Sequence, residues 1–252
     1  MTMIYASDLL NKTDMKNILS QTGMGIESIE FSISDNLDHL DTRLTDYRAR
    51  MEYYGVTDLI LHGPFLDLSP VAFDSRIREA TAYRFAQAYD AALQLNAKKI
   101  VFHSGFIPTI YFLEGWAERV AEFWNAFMKD RSELQVLIEN VYDPFPEPIV
   151  NVKELVPSDN FKLCFDIGHA NCYSDISPLK WAKALGPHIG HVHLHDNHGT
   201  RDTHQALGTG TIPVNEILST IGHLAPHATY TIECNTPEDV LSSHHFISTC
   251  FV

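Results

Sequence analysis

The sequence predicts an α/β fold, a (β/α)8 TIM barrel, forming a single domain over residues 1–252. Three observations predict it. Short β-branched runs alternate with longer helical patterns from end to end, and eight such runs occur. The length of 252 residues is what eight βα units require. No linker, low-complexity tract or charge block divides the chain. An open doubly wound sheet shares this rhythm, but no G-x-G-x-x-G follows the first run.

The candidate strands are residues 4–6, 28–33, 58–62, 99–103, 135–140, 162–166, 190–195 and 229–233. Most are apolar through the middle rather than alternating, which suits parallel strands covered on both faces. In the third gap Phe85, Ala88, Ala92 and Leu95 recur at helical spacing. In the fourth, Ala117, Val120, Ala121, Trp124 and Phe127 draw a similar stripe. Ser177-Pro178 and Thr236-Pro237 each read as an N-cap followed by Pro at the first helical position, and Asp74 reads as a further N-cap.

Composition narrows the partners. With 18 Lys and Arg against 32 Asp and Glu the formal charge is −14, which repels nucleic acid and anionic lipid. A content of 45% hydrophobic and 11% aromatic residues supports a packed core rather than a disordered polyelectrolyte. No run approaches the roughly 18 to 20 apolar residues of a membrane helix. The opening residues lack the basic and apolar regions of a secretory signal. Cys164, Cys172, Cys234 and Cys250 form no CxxC pair, so reduced thiols and a cytoplasmic home are expected.

The strand ends carry the chemistry. The third run ends in His62-Gly63-Pro64, the fourth in His103-Ser104-Gly105 and the fifth in Glu139-Asn140. The sixth ends in Asp166-Ile167-Gly168-His169, the seventh in His193-Leu194-His195-Asp196 and the eighth in Glu233. In a barrel these C-terminal ends converge on one mouth. Imidazoles and carboxylates without thiolates suit Zn²⁺, Mn²⁺, Fe²⁺ or Co²⁺, and crowded carboxylates there need a cation or protons to neutralise them. His193 is the expected ligand of its strand, with His195 packing at the rim. The loop beyond adds His198, Arg201, Asp202 and His204, then Gly208 and Gly210, which permit a tight turn. His39, His188, His223, His227, His244 and His245 read as exposed or half-buried.

Taken together, Asp166-x-x-His169, His193-x-His195-Asp196 and Asp202-x-His204-x-x-x-Gly208-x-Gly210 resemble the xylose isomerase-like TIM-barrel superfamily. It includes sugar phosphate isomerases and epimerases and the endonuclease IV group (AP endonuclease family 2). The resemblance spans His62 to Glu233. For the isomerases and epimerases it implies one divalent metal held by Glu139, Asp166, His193 and Glu233. Glu139 and Glu233 would act as the proton-transferring pair through a metal-stabilised enediolate, with His169, Arg201 and His62 on the substrate. The endonuclease IV pattern implies three zinc ions and adds His62, His103, His169, Asp202 and His204 as ligands; its substrate is abasic DNA.

The expected activity is therefore that of a divalent-metal-dependent isomerase or epimerase of a small sugar or sugar phosphate, with one ion per chain and up to three accommodated. A phosphodiesterase of the endonuclease IV type is the alternative. Loops such as Phe65-Leu66-Asp67-Leu68 and Phe106-Ile107-Pro108-Thr109 are apolar and acidic where a DNA enzyme needs basic residues. The loop after the seventh run is also shorter and less basic than the endonuclease pattern. The expected partner is a small carbohydrate, with no membrane or nucleic acid, and a homo-oligomer is compatible with the sequence.

Overall fold

A computed structural model describes residues 3–250. In chain order the elements are β1 (Ile4–Ser7), α1 (Lys12–Thr22), β2 (Gly25–Ser28), α2 (Ser34–Asp38), α3 (Leu40–Tyr54), β3 (Leu59–His62), α4 (Ser75–Gln94), β4 (Lys99–His103), α5 (Trp116–Met128) and β5 (Gln135–Glu139). They continue with α6 (Glu147–Leu155), β6 (Phe161–Asp166), α7 (Ile167–Tyr173), α8 (Pro178–Leu185), β7 (Ile189–Leu194), α9 (Val214–Leu224), β8 (Thr229–Ile232) and α10 (Pro237–Cys250). The eight strands pair in sequence order, all parallel, and β1 closes on β8 through Ile4↔Tyr230 and Ala6↔Ile232. This is the (β/α)8 barrel that the alternating pattern predicts. No helix among the described residues is long and apolar enough to cross a membrane.

Two apolar layers hold the barrel. Between sheet and helices, Phe85, Ala88 and Ala92 of α4 and the α5 stripe are buried; Phe85 stacks on Phe102 of β4 at 4.2 Å and on Trp124 of α5 at 5.6 Å. Each such ring, fully buried, contributes roughly 1.5–3 kcal/mol. Inside the barrel Tyr5, Ile60, Val101, Leu137 and Cys164 form a small plug toward the N-terminal end. Above this plug the interior turns polar.

The helix starts follow local chemistry. The Asp74 carboxylate accepts from the amides of Arg76 at 2.7 Å and Ile77 at 3.4 Å, and the Thr236 hydroxyl accepts from Asp239 N at 3.1 Å. Ser177 precedes α8 as expected, but its hydroxyl makes no cap bond.

The second strand lies three residues earlier than its pattern suggests. Residues 25–28 form β2, and the 30–32 stretch is a 3-10 turn. Side chains turn the chain there: Ser28 Oγ accepts from Glu30 N at 3.1 Å, and Ser32 Oγ donates to the Ile29 carbonyl at 2.7 Å. The true start follows Gly23, whose left-handed φ of 67° ends α1. This shift brings Glu27 into the barrel.

A register irregularity between β6 and β7 sets the height of the site. Leu163 pairs with Ile189 but Cys164 pairs with His191, so the extra residue is Gly190. A Cβ there would lie 2.8 Å from Lys162 Cβ on β6, a close approach that glycine permits. The bulge places His193 level with Asp166.

Candidate metal centre

Six successive strands deliver their polar residues to the C-terminal mouth. His62, His103, Glu139 and Asp166 end β3 to β6, His193 is the penultimate residue of β7, and Glu233 follows β8. Of these, only His103 is more than marginally exposed.

Glu139 lies at the centre. Its Oε1 is 3.2 Å from His193 Nδ1 and 3.3 Å from His169 Nδ1, while Oε2 is 3.3 Å from His62 Nε2 and 3.7 Å from His103 Nε2. His193 Nδ1 also faces Asp166 at 3.8 Å and Glu233 at 3.6 Å. The loop between β7 and α9 adds Asp202, whose Oδ2 is 3.1 Å from His204 Nε2 and 3.4 Å from His169 Nε2.

Backbone carbonyls fix the ring orientations of three histidines. Nδ1 of His62 donates to Gly63 O at 2.9 Å, Nδ1 of His169 to Asn140 O at 3.0 Å, and Nδ1 of His204 to Glu233 O at 2.8 Å. With Nδ1 tied to a carbonyl, each Nε2 is turned into the site toward a carboxylate, Glu139 for His62 and Asp202 for His169 and His204. His204 adopts a left-handed φ of 49°, uncommon outside glycine, to reach this position.

The β7–α9 loop is shaped by Asp196. Its buried carboxylate accepts from the amides of Asn197 at 2.9 Å, Gly208 at 3.0 Å, Gly210 at 3.0 Å and Ile212 at 3.2 Å. Gly208 takes φ 83°, as the expected tight turn requires. A Cβ on Gly210 would fall 2.2 Å from Asn197 O. The loop folds around one carboxylate, and that holds Asp202 and His204 over the mouth.

Burial and charge set the protonation states. Burial pushes His103 down to about 3, so its ring is neutral. Burial works against a charged Glu139, but His193, His169 and His62 hold its carboxyl well below the usual range. Glu233 goes the other way: burial raises its carboxyl. Burial also opposes a charged His204, yet the hydrogen bond to Asp202 raises it to about 9.

The donor set fits divalent ions. His62, His103 and Glu139 offer atoms within 4.8 Å of one another, as do Glu139, Asp166 and His193, and likewise His195, His204 and Glu233. His195 Nδ1 and Asp202 Oδ1 are buried without a hydrogen-bond partner, 3.5 Å apart. Both atoms are free to serve as donors to a cation.

The family model described as a xylose isomerase-like TIM barrel matches residues 22–250. The chain belongs to that family. An uncharacterized protein of Methanocaldococcus jannaschii is 28% identical over 222 residues, 81% of this chain and 72% of the relative. A Thermus thermophilus protein soaked with zinc chloride superposes with a TM-score of 0.78 at 26% identity, over 98% of this chain and 97% of that one. A D-tagatose 3-epimerase-like protein shares the fold with a TM-score of 0.77 at 22% identity, over 100% and 97%.

In this xylose isomerase-like barrel the residues expected as ligands lie together at the mouth. Arg201, expected at the substrate, lies exposed on the β7–α9 loop, and His195, expected at the rim, is fully buried. The His195 ring stacks on His204 at 3.9 Å, with Nε2 3.2 Å from Asp166. Gly168 makes room for it, since a Cβ there would sit 1.9 Å from His195 Cε1. His39, His188, His223, His227, His244 and His245 are exposed or half-buried as expected.

Sequence reasoning misses Glu27. It is fully buried, with Oε1 3.1 Å from His193 Nε2 and Oε2 3.1 Å from His191 Nε2. The αL glycine at Gly23 is the signal that would have located it, because it marks where β2 can begin.

Proposed function

We propose that the protein is a divalent-metal-dependent isomerase or epimerase of a small sugar or sugar phosphate. The observation that carries this reading is the pair Glu139 and Glu233. Both are buried, they come from β5 and from the end of β8, and they approach His193 Nδ1 at 3.2 and 3.6 Å.

A divalent ion held by Glu139, Asp166, His193 and Glu233 would supply Lewis-acid polarisation of adjacent substrate oxygens. The chain's own residues do the rest. One carboxylate takes the proton from the carbon beside the carbonyl, and the other returns one, on either face. In the ion-free protein their environments differ: against its burial, His193, His169 and His62 lower the Glu139 carboxyl, and burial raises that of Glu233. His169 would orient a substrate hydroxyl, and Arg201, exposed on the β7–α9 loop, would meet a phosphate. Phe65, stacked on His103 at 4.4 Å, screens one side of the mouth from water.

The mouth itself suits a small polyol. Helix α7 follows β6 directly, and of the seven loops that follow the other strands only the β7–α9 loop contains a Lys or Arg, which is Arg201. A DNA backbone needs several cations there.

A second reading, a phosphodiesterase with three ions, is favoured by one feature: Glu139 belongs to two of the three-donor groups at once. Elemental analysis of the dialysed protein separates the readings. One ion per chain supports the isomerase, three favour the phosphodiesterase, and none removes the basis for both.

A further inference from the structure

His193 differs from the other histidines of the site in the nitrogen it presents. His62, His169 and His204 give Nδ1 to a backbone carbonyl and turn Nε2 inward. His193 turns Nδ1 to Glu139, Asp166 and Glu233, so its Nε2 must be the tethered atom. Its partner is a side chain, Glu27 Oε1, at 3.1 Å.

We propose that Glu27 is the positioning residue of the metal centre: by accepting the Nε2 proton of His193 it fixes the tautomer that leaves Nδ1 for the ion. This rests on the metal-dependent reading above. An ionised carboxylate only accepts, so a Glu27 contact puts the proton on Nε2. Nδ1 then faces three carboxylates, and a cation bound among them would take up the Nδ1 lone pair.

The surroundings of Glu27 give the network one direction. Lys99 Nζ has donors only; it gives hydrogen bonds to Gly190 O at 2.6 Å and to Thr229 Oγ1 at 2.9 Å. The Thr229 hydroxyl therefore accepts from Lys99 and passes its own hydrogen to His191 Nδ1, 2.6 Å away. That makes Nδ1 of His191 the acceptor and puts the ring proton on Nε2, which points to Glu27 Oε2 at 3.1 Å and Thr231 Oγ1 at 2.8 Å. The Thr231 hydroxyl also donates to Glu27 Oε2. Glu27 thus collects donors from His191, Thr231 and His193. A chain of hydrogen bonds runs up the barrel axis from Lys99, near the N-terminal end, to the ligand at the mouth.

Glu27→Gln keeps the shape but gives the site an amide, whose NH2 would face the N–H of one of the two imidazoles. The test compares full-length wild type and E27Q. Zn²⁺ affinity is read by chelator competition, thermal unfolding is read alongside, and ¹⁵N-histidine spectra are taken with ¹¹³Cd²⁺ loaded. The expected result is affinity weaker by roughly 10–100-fold in E27Q, with wild-type ¹¹³Cd coupled to His193 Nδ1. A purely structural role would lower the melting temperature and leave affinity unchanged.

Zn²⁺ affinity of E27Q within twofold of wild type overturns the proposal, as does ¹¹³Cd coupling to His193 Nε2 or to His191. Should E27Q not fold, the tautomer of His191 in wild type decides: a proton on Nε2 supports the chain, and one on Nδ1 overturns it. Wild type that binds neither Zn²⁺, Mn²⁺ nor Co²⁺ overturns the metal reading together with this proposal. Loss of the E27Q difference alone overturns only the positioning role.

Discussion

Gly168 lies directly beneath the ring of His195, close enough that a Cβ on it would fall 1.9 Å from Cε1 and 2.4 Å from Nδ1. The contact sets how near α7 can come to β7, and α7 carries His169 into the site. Gly168→Ala must push either the helix or the ring away, and overpacking of this kind costs about 1–3 kcal/mol. The expected outcome is a lower melting temperature with weaker ion binding, measured by calorimetry and metal titration on the same sample. A variant with wild-type affinity would show that the His195 position is immaterial to the site.

Glu233→Gln removes the oxygen proposed to transfer the proton while keeping a neutral side chain of similar shape. Activity on the true substrate should fall by about 10²–10⁴-fold, while the ion is retained or bound more weakly. Steady-state rates and ion stoichiometry measured together check this. Full activity would sink the assignment of Glu233 as acid or base.

The Asp196 carboxylate serves four backbone amides, two on each oxygen. In Asp196→Asn one of those oxygens becomes an NH2 that faces amide donors, leaving two of them unpaired at about 1–3 kcal/mol each. Hydrogen exchange should accelerate at Gly208, Gly210 or Ile212, with the barrel strands still protected. Unchanged exchange across the loop would contradict the role given to Asp196.

The ion-free protein should respond to pH through His204. Burial opposes its charged form, but the hydrogen bond to Asp202 raises the folded value to about 9, above the ordinary value of about 6.5. The stabilisation is therefore fully present below about pH 6.5 and is lost as pH rises through about 9, at most about 3 kcal/mol. Chelator-treated protein should melt lower at pH 9.5 than at pH 6. With Zn²⁺ bound the trend should reverse, because a ligating imidazole must be deprotonated.

Arg201 reports on substrate charge. If the substrate carries a phosphate, Arg201→Ala should raise KM by at least about tenfold, in line with the loss of a charge-assisted hydrogen bond, with kcat little changed. For an uncharged sugar KM should not move. Kinetics on matched phosphorylated and free sugars check this.

The fold and most of the mouth are legible in the sequence because parallel strands repeat one arrangement eight times. An apolar run ending in His62 or Asp166 declares both the strand and the side of the barrel its last residue occupies. Glu27 is not legible because hydrogen bonds from Ser28 and Ser32 convert an apolar-looking stretch into a turn, which hides the real strand upstream. The depth of His195 depends on Gly168, a residue on another element, and no local pattern carries that. Asp196 likewise looks like one more mouth carboxylate until its four amide partners, up to 16 residues ahead, fold back on it.

Solvent-hydrogen exchange tests the central claim most directly. Wild type and E233Q are incubated in D2O, with the ion bound, against a panel of ketoses, aldoses and their phosphates, and followed by ¹H NMR. The account predicts deuterium at the carbon beside the carbonyl of at least one member with wild type, and none with E233Q. No exchange into any member, together with cleavage of abasic-site DNA by the same preparation, would contradict it.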